Sequence, residues 1–456
     1  MSGMVEAFVR HGLETRYEDL SNDAVTAIKT YLLDTLGVGI AGASVPLTEI
    51  VRKSARAWGG DGAANVWGDG AFTTTPANAA FINGFQIHCQ EFDCVHEPAV
   101  VHPLATILAA LMAEADVQGG VNGQEFAVAL AVAVDLAAGI GVSVSSPIKF
   151  FRPANAGIFG ATLGIARLRK LSAEQTKDAL GYALAFNSGT MQAHVEGKPA
   201  LPIQIGNAAR GAVMACDLAA QGMPGPHDSL EGPFGYFSLF EDETDSADVI
   251  ASLGRIWRIA EVSHKPFPTG RAAQGGIVLM QKLKVAGVDL DNVEQITLTA
   301  PPLIHRLVGR QIKEGMAVNY ARLCFQYSGA VALKNGIVGL EDFADDRLAD
   351  SEILKLGARI QVIDNGGSDP AAFTPQIAVA TLKDGQEVRA EIDTLYGSPG
   401  DPMTREAHIA KFQSCVTFGF GGQRPQLEQQ LIELTDQLET VADVSVLSRL
   451  AAGLEA

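Results

Sequence analysis

The chain has 456 residues, 47% of them apolar and 19% charged, which is more than one hydrophobic core usually supports, so two domains are expected. Its formal charge is −18, from 34 basic and 52 acidic side chains. That surface argues against nucleic acid or a membrane as a partner, and any anionic substrate must be held by a local cluster of Lys, Arg and His.

The first twenty residues, MSGMVEAFVRHGLETRYEDL, have no apolar signal core behind a basic start, and the five cysteines lack framework spacing. Both point to a cytoplasmic protein. Ser21-Asn22-Asp23 opens a helix through AVTAIKTYLLDTLGVGIAG. Within it Gly37-Val38-Gly39-Ile40-Ala41-Gly42 matches G-x-G-x-x-G, but it follows a helix rather than a strand, so close helix packing is the expected role. Apolar spacing predicts further helices near 76–92, 103–117, 123–140, 155–168, 173–187 and 202–221, with a capping box at Ser172 to Gln175. Phe126 to Val142 is the most apolar stretch; it is short and interrupted by Asp135, so it reads as a buried core helix.

The texture changes after Pro268. GRAAQGGIVLMQKLKVAG reads as an amphipathic helix, VEQITLTAP and ARIQVIDN as strands, and QIAVATLKDGQEVRAEIDTLYG as a hairpin turning at Asp384-Gly385. Residues 315–335 and 345–357 are expected to supply helices, and helical period returns from Thr404. The expected fold is mainly α: an all-helical domain from 1–267 and 401–456, and a smaller α+β domain from 268–400.

Residues 76–106 concentrate His88, Glu91, Asp93, His96, Glu97 and His102 in otherwise apolar helical surroundings. Burying such groups is costly unless they are paired or working, so this segment is the first candidate for a site. Asp93 and His102 suit proton transfer, because His titrates near neutrality and an Asp can fix its tautomer; a satisfied histidine at a helix start is the alternative. His88 and His96 could instead join Asp93 or Cys94 around a metal, but no ligand pair has secure spacing, and no metal is expected. His264, Lys265 and Arg271 in HKPFPTGR form either an anion-binding corner or a basic hinge. Arg152 could clamp a carboxylate or simply lie at the surface. His194, Glu196 and Lys198 precede a helix that could meet a carboxylate, or belong to a solvated loop. Tyr327, with Arg322 one and a half turns before it, is either a core tyrosine or a site residue.

Together these segments resemble the MmgE/PrpD family, which includes 2-methylcitrate dehydratase, cis-aconitate decarboxylase and iminodisuccinate epimerase. The matching phrases include YLLDTLGVGIAGA, ANAAFINGFQIHCQEFD, HPLATILAALMAEA, IQIGNAARGAVMACDLAAQG and HKPFPTGR. The resemblance implies a helical domain completed by the C-terminus, an α+β lid, a homodimer and no cofactor. It places the family's catalytic residues on Asp93, His102, Lys265 and Tyr327. Arg271, Arg152, His88 and Lys198 are then expected to bind substrate. The chain departs from the family's dehydratases and decarboxylases at three positions, having Phe151-Arg152 in place of a His, an apolar residue near Leu201 in place of a Lys, and Gln274 in place of another His. A tricarboxylate wants a charge-assisted partner for each carboxylate. The losses therefore favour a smaller acid, and the expected reaction is epimerisation of a dicarboxylate such as iminodisuccinate. The competing expectations are a lyase of the dehydratase or decarboxylase type and an inactive dimeric scaffold.

Overall fold

The computed structural model describes residues 3–369 and 371–455. Helices dominate the first half. Ser21 accepts from the Ala24 amide to start Asn22–Ala43, and Thr75 does the same for Pro76–His88, whose Pro76 occupies the first turn, where no amide hydrogen is needed. Pro103–Gln118, Gly123–Val142, Arg152–Leu168, Ala173–Ala185 and Ala200–Ala220 follow. The expected capping box at Ser172 is present, with reciprocal bonds to Gln175. Gly123–Val142 lies inside the fold, with 89% of its most apolar stretch buried, as a core helix should.

Close approach explains the glycines of the Asn22–Ala43 helix. A Cβ at Gly42 would stand 1.9 Å from the Gln86 carbonyl oxygen, and one at Gly39 would stand 2.5 Å from the Trp67 ring. The glycine pattern therefore serves contact with the Pro76–His88 helix and the segment before it. That contact fixes the helix that carries His88.

One large apolar core gathers the helices of the first 262 residues together with Phe412, Leu431, Leu447 and other side chains of the C-terminal helices Arg405–Phe420, Pro425–Asp436 and Ser445–Ala452. A second core, from Phe267 to Leu395, packs the Arg271–Val285 and Phe325–Asn335 helices on one face of a four-stranded sheet. The strand order is Ile360–Asp364, Val293–Ala300, Gln376–Leu382, Glu387–Ile392. The first pair is parallel, with Ile296 opposite Ile360; the others are antiparallel, with Thr297 opposite Val379 and Val379 opposite Arg389. Gly385 takes φ +86 at the hairpin tip, a conformation open to glycine.

The helix expected over 315–335 is broken. A short turn, Val318–Ala321, is followed by extended backbone at Cys324, and the regular helix starts only at Phe325. The break lets Arg322 reach across to the other core, where its Nη1 donates to the carbonyls of Gln90 at 2.7 Å and Pro268 at 3.0 Å.

Candidate active site

Where the Pro76–His88 helix ends, the chain folds into a compact loop before the Pro103–Gln118 helix begins. His96 and Val101 exchange backbone hydrogen bonds, a tight turn that carries His102 back onto Asp93. Glu91 and Val100 hold φ +51, unusual for residues with side chains. Val95 and Ser263 also exchange backbone bonds, which lays the Lys265 segment alongside the loop.

Five groups from these segments converge. Asp93, fully buried, accepts through Oδ2 from His88 Nδ1 at 2.9 Å and His102 Nδ1 at 3.1 Å. Its Oδ1 lies 3.7 Å from the Lys265 ammonium, which also bonds Glu91 at 3.1 Å. Because Asp93 is the acceptor, both imidazoles carry a proton on Nδ1 and turn Nε2 away from it. His88 Nε2 stands 3.6 Å from Glu91, whereas His102 Nε2 has no protein partner among the described residues.

The same surroundings push the two histidines apart. Burial pulls both pKa values down. For His88 the attraction of Asp93 and Glu91 outweighs burial and the value is raised; for His102 burial and the Lys265 charge prevail and the value is lowered. Burial works against the charged forms of both carboxylates, but Lys265 and the two imidazoles more than offset it. Glu91 is lowered to about 2 and Asp93 well below its usual range. At neutral pH the site thus holds one imidazole biased toward its proton and one biased to accept it.

His88, Glu91 and His102 of this cluster face a small cavity of about 70 Å³ lined by side chains of both cores. His88, Glu91, His102, His194 and Arg271 supply its titratable lining. The rest is largely apolar, including Phe151, Met191, Leu201, Leu307 and Phe373. Two departures noted in the sequence, Phe151 and Leu201, are therefore in the wall itself.

Several candidates sit elsewhere. Tyr327 packs in the second core, and its hydroxyl donates to the Asp342 carbonyl. Arg152 is spent on Glu241 at 3.0 Å, itself bonded by Tyr236, and Lys198 is exposed and outside the cavity lining. Arg271 lines the cavity, but its guanidinium is paired with Glu97 at 2.7 Å and donates to the His264 and Tyr396 carbonyls. His264 packs with tilted rings between Tyr31 and His408 rather than completing an anion corner. His96 is committed to Glu261 at 3.0 Å, so it forms no ligand set with His88.

His88, Asp93 and His102 do place ligand atoms within 4.8 Å of one another, as do Asp34, His264 and His408. In the first set both imidazoles bond Asp93 through Nδ1, and the Lys265 ammonium stands on the same carboxylate. In the second, Lys411 already holds Asp34 at 2.7 Å. Both arrangements work as internal hydrogen-bonded and ion-paired groups.

The sequence reading assigned no role to Glu91 and missed Arg310. The latter donates to the His194 carbonyl at 2.9 Å and has no carboxylate partner among the described residues; its Nη1 is buried without a hydrogen bond. The four-residue spacing of Arg306 and Arg310 at the end of a short helix was the available signal.

Residues 6–247 match the MmgE/PrpD N-terminal domain and residues 267–437 the MmgE/PrpD C-terminal domain. The chain belongs to the MmgE/PrpD family. The junction between the two matches falls beside the HKPFP segment that brings Lys265 to Glu91 and Asp93. This MmgE/PrpD protein is 26% identical over 461 residues to cis-aconitate decarboxylase of Mus musculus, spanning 97% of this chain and 92% of that one. It is 25% identical over 473 residues to cis-aconitate decarboxylase of Homo sapiens, spanning 99% and 95%. A cis-aconitate decarboxylase-like protein of Aspergillus oryzae is 26% identical over 466 residues, spanning 96% and 95%. These relatives favour the lyase expectation over the epimerase one. Nothing in them supports epimerisation.

Proposed function

We propose that this protein is a cofactor-independent lyase that releases CO2 from an unsaturated acid, with the cavity at Asp93 as its active site. The observation that carries this reading is a single buried carboxylate holding two imidazoles of opposite pKa bias beside an ammonium. The names of the relatives supply the reaction type.

In a β,γ-unsaturated acid the bond to the departing carboxylate breaks and its electron pair becomes a new C=C. The former alkene pair takes a proton at its far carbon, and CO2 leaves. His88, biased toward its protonated form, is the donor suited to that step. Lys265, bonded to Glu91 and Asp93 behind the cavity wall, offsets their charge beside the reacting acid; preorganised charge of this kind lowers barriers most effectively in a dry site. His102, biased toward neutrality, is the base for which dehydration or epimerisation would call.

Incubation of the purified protein in deuterated water with cis-aconitate, glutaconate and iminodisuccinate tests the proposal. CO2 release with one deuterium gained at carbon supports it. Exchange next to a carboxylate without CO2 would return the epimerase reading, and addition or loss of water the dehydratase one. No reaction with any of the three overturns the proposal.

A further inference from the structure

We propose that Lys411 and Arg322 are positioning residues for Asp93, each holding one carbonyl of the loop that carries it. This rests on the cavity being the active site.

The chain around Asp93 has little hold on itself. The Glu91 amide bonds the His88 carbonyl at 3.1 Å, and Val95 pairs with Ser263. Across residues 92–94 no backbone-to-backbone hydrogen bond forms among the described residues. Yet Asp93 must stay within reach of two imidazoles and an ammonium. Two buried cations, both distant in the chain, supply the missing hold. Lys411, on the Arg405–Phe420 helix, donates to the Phe92 carbonyl at 3.0 Å, and its ammonium lies 4.1 Å from the centroid of the Phe92 ring. Asp34 fixes that ammonium at 2.7 Å. Arg322 donates to the Gln90 carbonyl at 2.7 Å, and its guanidinium lies 4.3 Å from the centroid of the Phe343 ring.

The two carbonyls stand on either side of Glu91, the residue at φ +51. A residue with a side chain keeps such a conformation only where its surroundings fix it. Neither cation lines the cavity, so both act through the backbone of the loop. They also come from different cores. Lys411 precedes Phe412 of the first core, and Arg322 stands just before the Phe325–Asn335 helix of the second. Asp93 therefore keeps its place only while both cores are docked on the loop.

The test reads the position of Asp93 through the titration of His88, in the full chain and without turnover. His88 is faced by Asp93, Glu91, Lys265 and the His102 ring, and Asp93 is its strongest attraction. With the histidines labelled with carbon-13 at Cε1, the His88 signal is the one of nine that His88→Gln removes. Asp34→Asn/Lys411→Met removes a buried ion pair together, so that no lone charge is left. Arg322→Met removes a cation that has no carboxylate partner among the described residues. In both variants the His88 titration is expected to fall by at least about half a unit, as Asp93 drifts from the ring. Arg322→Lys, which keeps a donor, should fall between Arg322→Met and wild type. On an acid that the wild type turns over, kcat is expected to fall about 10- to 100-fold with KM within about threefold. A merely structural role would lower stability and leave the His88 titration where it was. An unmoved titration, or an unmoved kcat, in the folded variants overturns the inference; Arg322→Met decides alone if the double variant does not fold. If the wild type releases no CO2 from any acid while the titration falls as expected, the proposed reaction fails and the positioning stands.

Discussion

Replacing Asp93 by Asn keeps the side-chain volume and removes one charge at the node of the site. Asp93 accepts two imidazole protons through one oxygen and faces an ammonium with the other. An amide can reproduce only part of this. If its oxygen faces the imidazoles, its NH2 group confronts Lys265. If its NH2 faces them, both rings must move their proton to Nε2, and His102 loses the lone pair it turns to the cavity. In either orientation His88 loses its strongest attractive partner, so its pKa falls and less of it carries a proton at neutral pH. General acid catalysis of this kind contributes about 10²–10⁴ in rate, so kcat is expected to fall by roughly 3–5 kcal/mol in barrier terms. The assay is CO2 release across pH, with near-ultraviolet circular dichroism to confirm the fold. The basic limb of the profile should also move to lower pH, which a merely structural role would not produce. A variant within about tenfold of wild type, with an unmoved limb, would refute the reasoning.

Further outcomes are expected. Decarboxylation by wild type should fall as pH rises through the raised pKa of His88, above about 6.5; a reaction begun by His102 would add an acid limb below about 6.5. Burial holds His264 at about 3 and His408 at about 4, below the unfolded value, so their contribution to stability is full above about pH 6.5 and is lost as pH falls toward these values. Near pH 5 each should cost about 2 kcal/mol, read as a lower urea midpoint, with His408→Gln flattening the dependence; an equally steep dependence in that variant would remove His408 from the account. Tyr327→Phe should leave kcat unchanged and lower stability by about 1 kcal/mol, through loss of the bond to the Asp342 carbonyl; a large loss of kcat with the fold intact would restore a catalytic role.

The sequence by itself determined the helices and their starts, because caps, proline positions and apolar period are local signals. Ser21, Thr75 and Ser172 sit where the chain turns into helix, and Gly39 and Gly42 mark where two helices touch. It also marked residues 88–102 as too polar to be idle in an apolar setting. Only the tertiary structure decided which charges are free. Arg152 and Arg271 look like carboxylate clamps until Glu241 and Glu97, distant in the chain, are found on them. Tyr327 could not be placed without knowing that the helix breaks before Phe325. Arg310 stands out only because no acid reaches it. Pairing of charges depends on long-range contacts, which chain-local pattern does not encode. The acid–base bias of His88 and His102 depends on one carboxylate shared across a folded loop.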